Sequence, residues 1–387
     1  MIKSVIDTYE IVKEKRLRDR FFKHNTIVDL VNQLPAIFEV KEIGQSVKGK
    51  SINLVKYGNG VTKVMLWSQM HGDEATGTMA LFDLFNFLQS DHQLAQLITE
   101  KCQLFVLPMV NPDGAEVFTR RNAQQIDVNR DFLKEVSPEA KVLKQCRATI
   151  KPDFGFNLHD QVTLWSVTGT LKPATLSFLA PAFDEELSIN ETRKNAMLVI
   201  ADMFSDLDQF LPKHIGLFDD EFEPRAFGDN FQKAGTSTIL IEAGGYTNDY
   251  EKQEIRKHYF TAILSGLFSI ATKSYHQQDL KNYFVIPKNN KQIFHVLIHG
   301  VLLDGIEVSV GINYDECPTS DGCSTFKTYS IQDIGDLSFC DAYQNYSSPS
   351  LSLKGNVTLY QPANFELFDG DKTILSFENG TINFKKD

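Results

Sequence analysis

Short, almost wholly apolar runs alternate with helix-length stretches from about residue 10 to 275, and few folds accommodate that order. Apolar runs bounded by turn residues read as strands, and stretches with apolar residues three or four positions apart read as helices. Strands that alternate with helices favour a parallel sheet covered on both faces. The sequence therefore predicts an α/β fold, a three-layer sandwich with a mixed, mainly parallel central sheet.

The first part of the chain can be divided into predicted elements. The predicted strands cover residues 51–58, 62–69, 103–109, 153–159 and 236–242. The predicted helices cover residues 74–90, 134–148, 184–208 and 249–273. The turn Gly58-Asn59-Gly60 separates the first two strands, and this pattern predicts that they form a hairpin.

After about residue 280 the pattern changes to short strand-like runs broken by turn dipeptides such as Asp369-Gly370 and Asn379-Gly380. No helix-length periodic stretch remains there. We therefore expect two domains, a catalytic domain over 1–278 and a small all-β domain of unknown role over 279–387.

The charge balance limits the classes of partner. With 50 acidic and 39 basic residues the formal net charge is −11, which argues against nucleic acid and anionic membrane surfaces as partners. No run of about 18 apolar residues predicts a membrane span. The charged N-terminus does not resemble a secretory signal, and the five cysteines are scattered, so we expect a cytoplasmic protein with reduced thiols. The oligomeric state stays open.

Three residues have the chemistry of metal ligands. His71 follows an apolar strand, Glu74 comes three positions later at the start of a helix, and His159 closes another apolar strand. Open α/β sheets bind ligands at the carboxyl ends of their strands, and catalytic zinc commonly has three protein ligands from His and carboxylate. Taken alone, His159 is better explained as a half-buried histidine bonded to a neighbouring carbonyl group.

Glu242 and a group of basic residues are further candidates. Glu242 closes an apolar strand, where a carboxylate is costly unless it has a partner or a role such as general base. The alternative is a helix cap or a pair with a lysine. Arg120, Asn129 and Arg130 follow the turn at 111–114, and arginine suits a carboxylate or an oxyanion. Surface salt bridges are the alternative for each arginine.

Together these segments resemble the zinc carboxypeptidases, the family called the M14 or carboxypeptidase A type. The chain has the motifs of the family in the family's order: His71-Gly72-Asp73-Glu74, Asn111-Pro112-Asp113-Gly114, Arg120-Arg121-Asn122, Asp127-Val128-Asn129-Arg130, His159 and Glu242. The resemblance implies a zinc carboxypeptidase-like fold and one zinc ion per chain.

The resemblance also implies roles for individual residues. Zinc would be bound by His71, Glu74 and His159, and Asp127 would orient a ligand histidine. Arg120 would stabilise the oxyanion. The implied residues for the terminal carboxylate of the substrate are Asn129 and Arg130, and the implied general base is Glu242.

Three positions depart from the family pattern. No tyrosine occurs in residues 217–232, where digestive members carry one on a mobile loop, and Tyr246 is a weak substitute. Gln125 replaces a usual glycine, and Asp131 replaces a common asparagine. An extra negative charge at Asp131 would redirect specificity toward basic or amine-bearing groups. The stretch 220–231 should form the specificity pocket, with Phe227 or Asp229 as candidates.

The predicted function is hydrolysis of an amide bond next to a free carboxylate, as in a metallocarboxypeptidase acting on small peptides. An N-acyl-amino-acid deacylase of the aspartoacylase type is the alternative, since such enzymes share the His-Gly-x-Glu turn and the Asp-x-Asn-Arg segment. The substrate is therefore a small peptide or an acylated amino acid. A non-catalytic peptide-binding protein on the same scaffold is an alternative of another class.

Overall fold

A computed structural model describes residues 2–383 of the chain. The strands of its first part are β1 (Glu39–Gln45), β2 (Ser51–Tyr57), β3 (Thr62–Ser68), β4 (Cys102–Leu107), β5 (Phe154–Asp160), β6 (Ser166–Val167), β7 (Lys172–Pro173), β8 (Leu176–Leu179), β9 (Ile215–Leu217), β10 (Ser237–Ala243) and β11 (Asn289–Asn290). The strands that follow are β12 (Ile293–Leu303), β13 (Ile306–Pro318), β14 (Thr325–Gly335), β15 (Asp341–Tyr346), β16 (Leu351–Asn356), β17 (Asn364–Asp369), β18 (Lys372–Glu378) and β19 (Thr381–Asn383).

The helices are confined to the part of the described chain that precedes β11. They are α1 (Ile2–Asp7), α2 (Tyr9–Val12), α3 (His24–Asn32), α4 (Thr76–Leu88), α5 (Gln93–Lys101), α6 (Pro112–Glu116), α7 (Pro138–Ile150), α8 (Glu191–Leu207), α9 (Phe227–Lys233), α10 (Gln253–Thr272) and α11 (Leu280–Phe284), with 3-10 turns at Val128–Arg130 and Ser274–Gln277. Within residues 2–383, no helix has the length and apolar character needed to cross a membrane.

An eight-stranded sheet forms the centre of the first part, in the order β1-β2-β4-β3-β5-β10-β8-β9. Its middle strands β4, β3, β5 and β10 run parallel to one another. Antiparallel pairs occur toward the edges, between β1 and β2, β2 and β4, and β10 and β8. The predicted mixed, mainly parallel sheet is confirmed.

The predicted hairpin between β2 and β3 is wrong, because β4 lies between these strands. β2 pairs with β4 in the antiparallel sense and β3 pairs with β4 in the parallel sense. The glycines of the intervening loop instead allow its backbone to approach the backbone of β4 closely. A Cβ on Gly60 would lie 2.0 Å from the backbone of Lys101, and Gly58 has a φ of 77°. The loop therefore crosses the start of β4 at backbone contact, which side chains would prevent.

Both faces of the sheet are buried, and alternate residues of β3 show it. Val64 and Leu66 join a core that includes apolar residues of α4, α5, α8 and α10. Met65 and Trp67 point to the other side, into a core with residues of α7 and α9. This period of two is what a strand covered on both faces requires. The predicted three-layer arrangement is confirmed.

The C-terminal strands form two four-stranded sheets, in the orders β14-β13-β12-β15 and β16-β17-β18-β19. Apolar side chains from both sheets, among them Ile331 and Phe365, bury a third core. The predicted all-β C-terminal part is confirmed. The boundary between 278 and 279 stays a prediction, and β11 pairs with β6 of the first part.

A buried ion pair fastens the N-terminal segment to the helical layer. Asp83 of α4 and Arg256 of α10 are both fully buried. Arg256 Nε donates to Asp83 Oδ2 at 2.7 Å, and its Nη2 donates to the carbonyl oxygen of Glu14 at 3.0 Å. The hydroxyl of Tyr9 donates to Asp83 Oδ2 at 2.8 Å. The hydrogen-bonding groups of the ion pair are thus satisfied by each other and by the N-terminal segment, as a buried pair requires.

We predict that Arg256→Met lowers the free energy of unfolding by about 3–5 kcal/mol, because it leaves Asp83 buried without an opposite charge. Urea denaturation measures the change. The control is Lys194→Met, which removes the partner of Glu191, a side chain that is 82% exposed. This surface change should stay within about 0.5 kcal/mol. Equal losses in the two variants would contradict the prediction.

Candidate metal centre and substrate cleft

The loop between β3 and α4 carries the first two candidate ligands, His71 and Glu74. This loop contacts the turn at 111–114 through two glycines, since a Cβ on Gly72 would lie 2.0 Å from the carbonyl carbon of Gly114. Asn111 Nδ2 donates to the carbonyl oxygen of Met70 at 3.2 Å. Asn111 also caps α6, where its Oδ1 accepts the N–H of Gly114. The Asn-Pro-Asp-Gly turn therefore supports the backbone that presents the ligands.

The structure brings His71, Glu74 and His159 together. The Nδ1 atom of His71 lies 2.7 Å from Glu74 Oε1, and the Nδ1 atom of His159 lies 2.6 Å from Glu74 Oε2. One donor atom from each residue falls within 4.8 Å of the others. The three residues are 2%, 7% and 3% exposed, so they meet inside the protein rather than on its surface.

This donor set fits zinc. Two imidazole nitrogens and one carboxylate oxygen are a common protein ligand set for catalytic zinc. The Nε2 atom of His71 lies 3.1 Å from Asp127 Oδ1, which turns Nδ1 toward Glu74. A carboxylate on the far nitrogen is the usual support of a ligand histidine. His71, Glu74 and His159 would hold the ion, and Asp127 would hold His71 in the orientation to do so.

The charges of these groups are strongly coupled. Burial opposes protonation of His71, but Glu74 and Asp127 outweigh it and raise the pKa of His71 to about 8. Burial lowers the pKa of His159. The pKa of Glu74 is well below its ordinary value although burial opposes this, because both histidines stabilise the carboxylate. Glu74 is thus a carboxylate at neutral pH, as a metal ligand must be.

Arg120 borders the ligands. Its Nη1 atom lies 3.2 Å from Glu74 Oε1, and its Nη2 atom lies 3.0 Å from Asp127 Oδ2. The side chain is 44% exposed, so the guanidinium also faces the open cleft. A donor in this position can reach a substrate carbonyl beside the ion. Its predicted role at the oxyanion agrees with this placement and stays a prediction.

Glu242 lies beside His159, because β10 and β5 pair in parallel with these two residues in register. It is 7% exposed, and its Oε2 atom has no hydrogen-bond partner within residues 2–383. The lysine pair considered from the sequence does not form, since Lys252 Nζ donates to Asp160 and to the carbonyl oxygen of Ala243. Burial first, then Glu74 and Asp160, raises the pKa of Glu242 well above its ordinary value.

Asn129 and Arg130 line a cleft of about 310 Å³ that also contains the ligands and Glu242. The Oδ1 atom of Asn129 accepts the N–H of Phe227 at 3.0 Å. The Nε atom of Arg130 lies 3.2 Å from Glu223 Oε2. The guanidinium is 37% exposed and is held beside the cleft by this pair. Their predicted role in binding a carboxylate is compatible with these positions and stays a prediction.

Two sequence-based suggestions about specificity are wrong. Asp131 is buried away from the cleft, where Oδ2 accepts the backbone N–H and the hydroxyl of Ser137 and Oδ1 accepts the N–H of Val136. Its charge therefore organises the segment before α7. Phe227 is fully buried among Trp67 and other core residues. Its neighbours on α9 reach the cleft instead, which follows from the rotation of 100° per helical residue.

Sequence analysis missed several groups around the ligands. Asn157 lies on the cleft floor, is 2% exposed, and has no partner for Oδ1 within the described chain. Two-residue alternation along β5 would have placed it on the same face as His159. The side chains of the β-rich part are a second omission. A cavity of about 600 Å³ adjoins Glu74 and Arg120 and is lined on its far side by Tyr314, Asp315, Glu316 and Pro318.

Comparison with known proteins agrees with this geometry. Residues 24–179 match the family model described as zinc carboxypeptidase. This part of the chain is therefore similar to the zinc carboxypeptidases. Carboxypeptidase 2 of Trichophyton rubrum is 32% identical over 100 residues, covering 25% of this chain and 19% of that protein. The human carboxypeptidase N catalytic chain is 30% identical over 142 residues, covering 29% of this chain and 31% of the relative.

The matched regions are thus less than a third of the length of these relatives. Among solved structures, a metallo-carboxypeptidase from Pseudomonas aeruginosa has a TM-score of 0.54 at 18% identity, covering 65% of this chain and 70% of that one. Bovine thrombin-activatable fibrinolysis inhibitor has a TM-score of 0.54 at 13% identity, covering 67% and 98%. Both share the fold. Within this fold, His71, Glu74 and His159 are the candidate zinc ligands.

We expect about one zinc ion per chain by elemental analysis, and loss of the ion in His71→Ala and His159→Ala. Asp127→Asn should weaken zinc affinity by about 10–100-fold in chelator competition, because His71 loses its support. The matched control is His24→Ala, since His24 is also buried but is bonded to the Ser51 carbonyl. Zinc content that survives both ligand substitutions would contradict the site.

Zinc must displace the proton of His71, so the apparent affinity should fall as the pH drops below about 8.

Proposed function

We propose that the chain is a metallocarboxypeptidase that removes the C-terminal residue of small peptides. The observation that carries the proposal is Glu242, a buried carboxylate whose Oε2 has no hydrogen-bond partner in the described chain and which lies in register with the candidate ligand His159. A buried carboxylate of this kind is costly, and a general base is a role that accounts for it. A non-catalytic peptide-binding protein would have no need of it.

Several polar residues of the cleft have separate roles in the proposed hydrolysis of the amide bond. When bound, zinc would polarise the scissile carbonyl and make a water molecule more acidic. Glu242 accepts the proton of that water, and its raised pKa suits it to hand the proton to the leaving amine. Arg120 donates to the carbonyl oxygen as negative charge develops there. Arg130 and Asn129 orient the terminal carboxylate of the substrate.

The floor of the cleft supports a preference for a basic C-terminal side chain. Asn157 Oδ1 is an acceptor without a partner, and Asp229 lines the same cleft with 9% exposure. Burial raises the pKa of Asp229 to about 7, so an incoming ammonium or guanidinium group would favour its ionised form. Asp219 and Glu221 add negative charge to the wall, whereas the charge of Glu223 is balanced by Arg130 and Arg225.

An N-acyl-amino-acid deacylase would use the same ligands, base and arginines. The cavity of about 600 Å³ beside Arg120 favours peptides over it, because a short acyl group would leave most of that space unfilled. We further propose a cytoplasmic location, which the five thiols support, since all of them lie in the described part of the chain and are free.

We expect Glu242→Gln to retain zinc and to lower kcat on a cleaved peptide by about 10²–10⁴-fold, because the proton acceptor is lost while the ligands remain. Turnover and zinc content are measured on the same sample. The control Glu191→Gln alters a carboxylate that is 82% exposed and should change neither quantity. Near-normal turnover of Glu242→Gln would refute the assignment of the base.

Asp229→Asn should lower kcat/KM for a peptide ending in lysine about 10–100-fold relative to one ending in leucine, because a buried charged hydrogen bond is lost. The matched control is Asp131→Asn, a buried aspartate whose three hydrogen bonds lie outside the cleft. It should affect stability and leave the lysine-to-leucine ratio unchanged. An Asp229 variant with the wild-type ratio would contradict the basic pocket.

A further inference from the structure

The β-rich C-terminal part, called here the β domain and comprising β12 to β19, contacts the loop that follows the ligand His159. Thr163 of this loop forms hydrogen bonds with two residues of the β domain. Its Oγ1 atom lies 3.0 Å from Nε2 of His295, and its carbonyl oxygen accepts the hydroxyl of Tyr343 at 2.6 Å. Both partners belong to the same sheet of the β domain, on β12 and β15.

The tautomer of His295 follows from its other contact. Its Nδ1 atom accepts the backbone N–H of Tyr314 at 3.0 Å, so the ring hydrogen is on Nε2 and is donated to Thr163 Oγ1. The ring is 5% exposed and stacks on Tyr314 with centroids 3.5 Å apart. Burial, followed by the charge of Lys327, lowers the pKa of His295 to about 3, so this arrangement holds at neutral pH.

The same tyrosine touches the segment after the candidate base. A Cβ on Gly245 would lie 1.8 Å from the hydroxyl oxygen of Tyr343 and 3.0 Å from the carbonyl oxygen of Thr163. Gly245 follows Glu242 by three residues. The loop after the ligand and the segment after the base are thus packed against one another and against a single residue of the β domain.

The cavity of about 600 Å³ lies where these contacts meet the ligands. It shares Glu74, Arg120 and Val162 with the cleft that holds Arg130 and Asn157. In the proposed function, the cleft binds the C-terminal residue of the substrate. The cavity therefore receives the part of the substrate on the N-terminal side of the scissile bond.

The outer wall of the cavity is strand β13, from Tyr314 to Pro318. Arg20 ties this wall to the N-terminal segment, because its guanidinium donates to both carboxylate oxygens of Glu316, at 3.1 and 2.7 Å. Bidentate pairs of this kind fix geometry as well as charge. Arg20 therefore joins the wall to the N-terminal segment, and His295 joins it to the loop after the candidate ligand His159.

We propose that the β domain forms the acyl-side subsite of the substrate cleft, and that His295 is the positioning residue that holds Thr163 and the loop 161–165 against it. The inference rests on the proposed function and assigns the residues that bind the N-terminal portion of a short peptide. The β domain is then a part of the active site. A substrate with two or more residues before the scissile bond contacts it, whereas an N-acetyl amino acid does not reach it.

The first test is amide hydrogen exchange of residues 161–165 in wild type, His295→Leu and Thr163→Val. Each substitution removes one partner of the contact, so exchange of the loop should become about tenfold faster. Thr163→Ser keeps the hydroxyl and should restore slow exchange. The matched control is His299→Leu on the same strand, since His299 is bonded to Asn345 and not to the cleft. Unchanged exchange in Thr163→Val would overturn the positioning role.

The second test measures binding rather than turnover. Zinc-loaded Glu242→Gln protein, with and without Thr163→Val, is titrated calorimetrically with a tripeptide and with an N-acetyl amino acid that has the same C-terminal residue. We expect Thr163→Val to weaken tripeptide binding about tenfold and to leave the N-acetyl amino acid unchanged. A circular dichroism melt confirms that both proteins are folded. Equal losses for the two ligands would overturn the acyl-side subsite.

These outcomes separate the inference from the proposed function. A wild-type enzyme that cleaves no peptide, combined with a length-dependent loss of tripeptide binding, would refute the peptidase and keep the subsite. Cleavage of tripeptides with identical kcat and KM in wild type and Thr163→Val would keep the peptidase and refute the subsite.

Discussion

The parallel register of β5 and β10 is the constraint on which the site depends, since it sets His159 directly beside Glu242. Parallel strands bring their carboxyl ends to one edge of the sheet, and β3 next to β5 delivers His71 and Glu74 to that edge. A slip of one residue would exchange the faces of a strand and turn Leu158 or Ile241, both now in the core, into the cleft. Exposing these apolar side chains would cost free energy, and this cost fixes the register that places His159 beside Glu242.

A buried ion pair lies at this edge of the sheet. Asp160, next to His159 in sequence, is paired with Lys252, and the same ammonium group donates to the carbonyl oxygen of Ala243, next to Glu242. The neighbour of the candidate ligand and the neighbour of the candidate base are thereby joined by one lysine. Lys252 makes no such bond to Glu242, whose Oε2 has no hydrogen-bond partner within residues 2–383.

Sequence reasoning succeeded where a residue's environment is set by its own strand. Apolar runs ending in His159 or Glu242 identify both the strand and the end at which chemistry takes place, so the fold class and the candidate ligands were within reach. It failed where the order of strands in the sheet determines which strands are neighbours. The Gly58–Gly60 loop has hairpin chemistry, but only the sheet order shows that β4 separates its flanking strands.

The chemistry of a side chain also gave no guide to its direction. Asp131 and Asp229 are both acidic and lie near candidate substrate residues in sequence, yet one bonds the backbone of residues 136 and 137 and the other lines the cleft. The sequence around His295 contains no signal that would single it out. Its importance comes from Thr163, 132 positions away, and no local pattern contains that contact.

The contact between Gly72 and Gly114 changes how the family motifs should be counted. His71-Gly72-Asp73-Glu74 and Asn111-Pro112-Asp113-Gly114 look like two separate signals in the sequence, but their backbones touch, and a methyl group on Gly72 would collide with Gly114. Selection on one is therefore selection on the other. In divergent relatives the two motifs should decay together, and finding both adds less independent support for the family than finding either one with a distant residue such as Glu242.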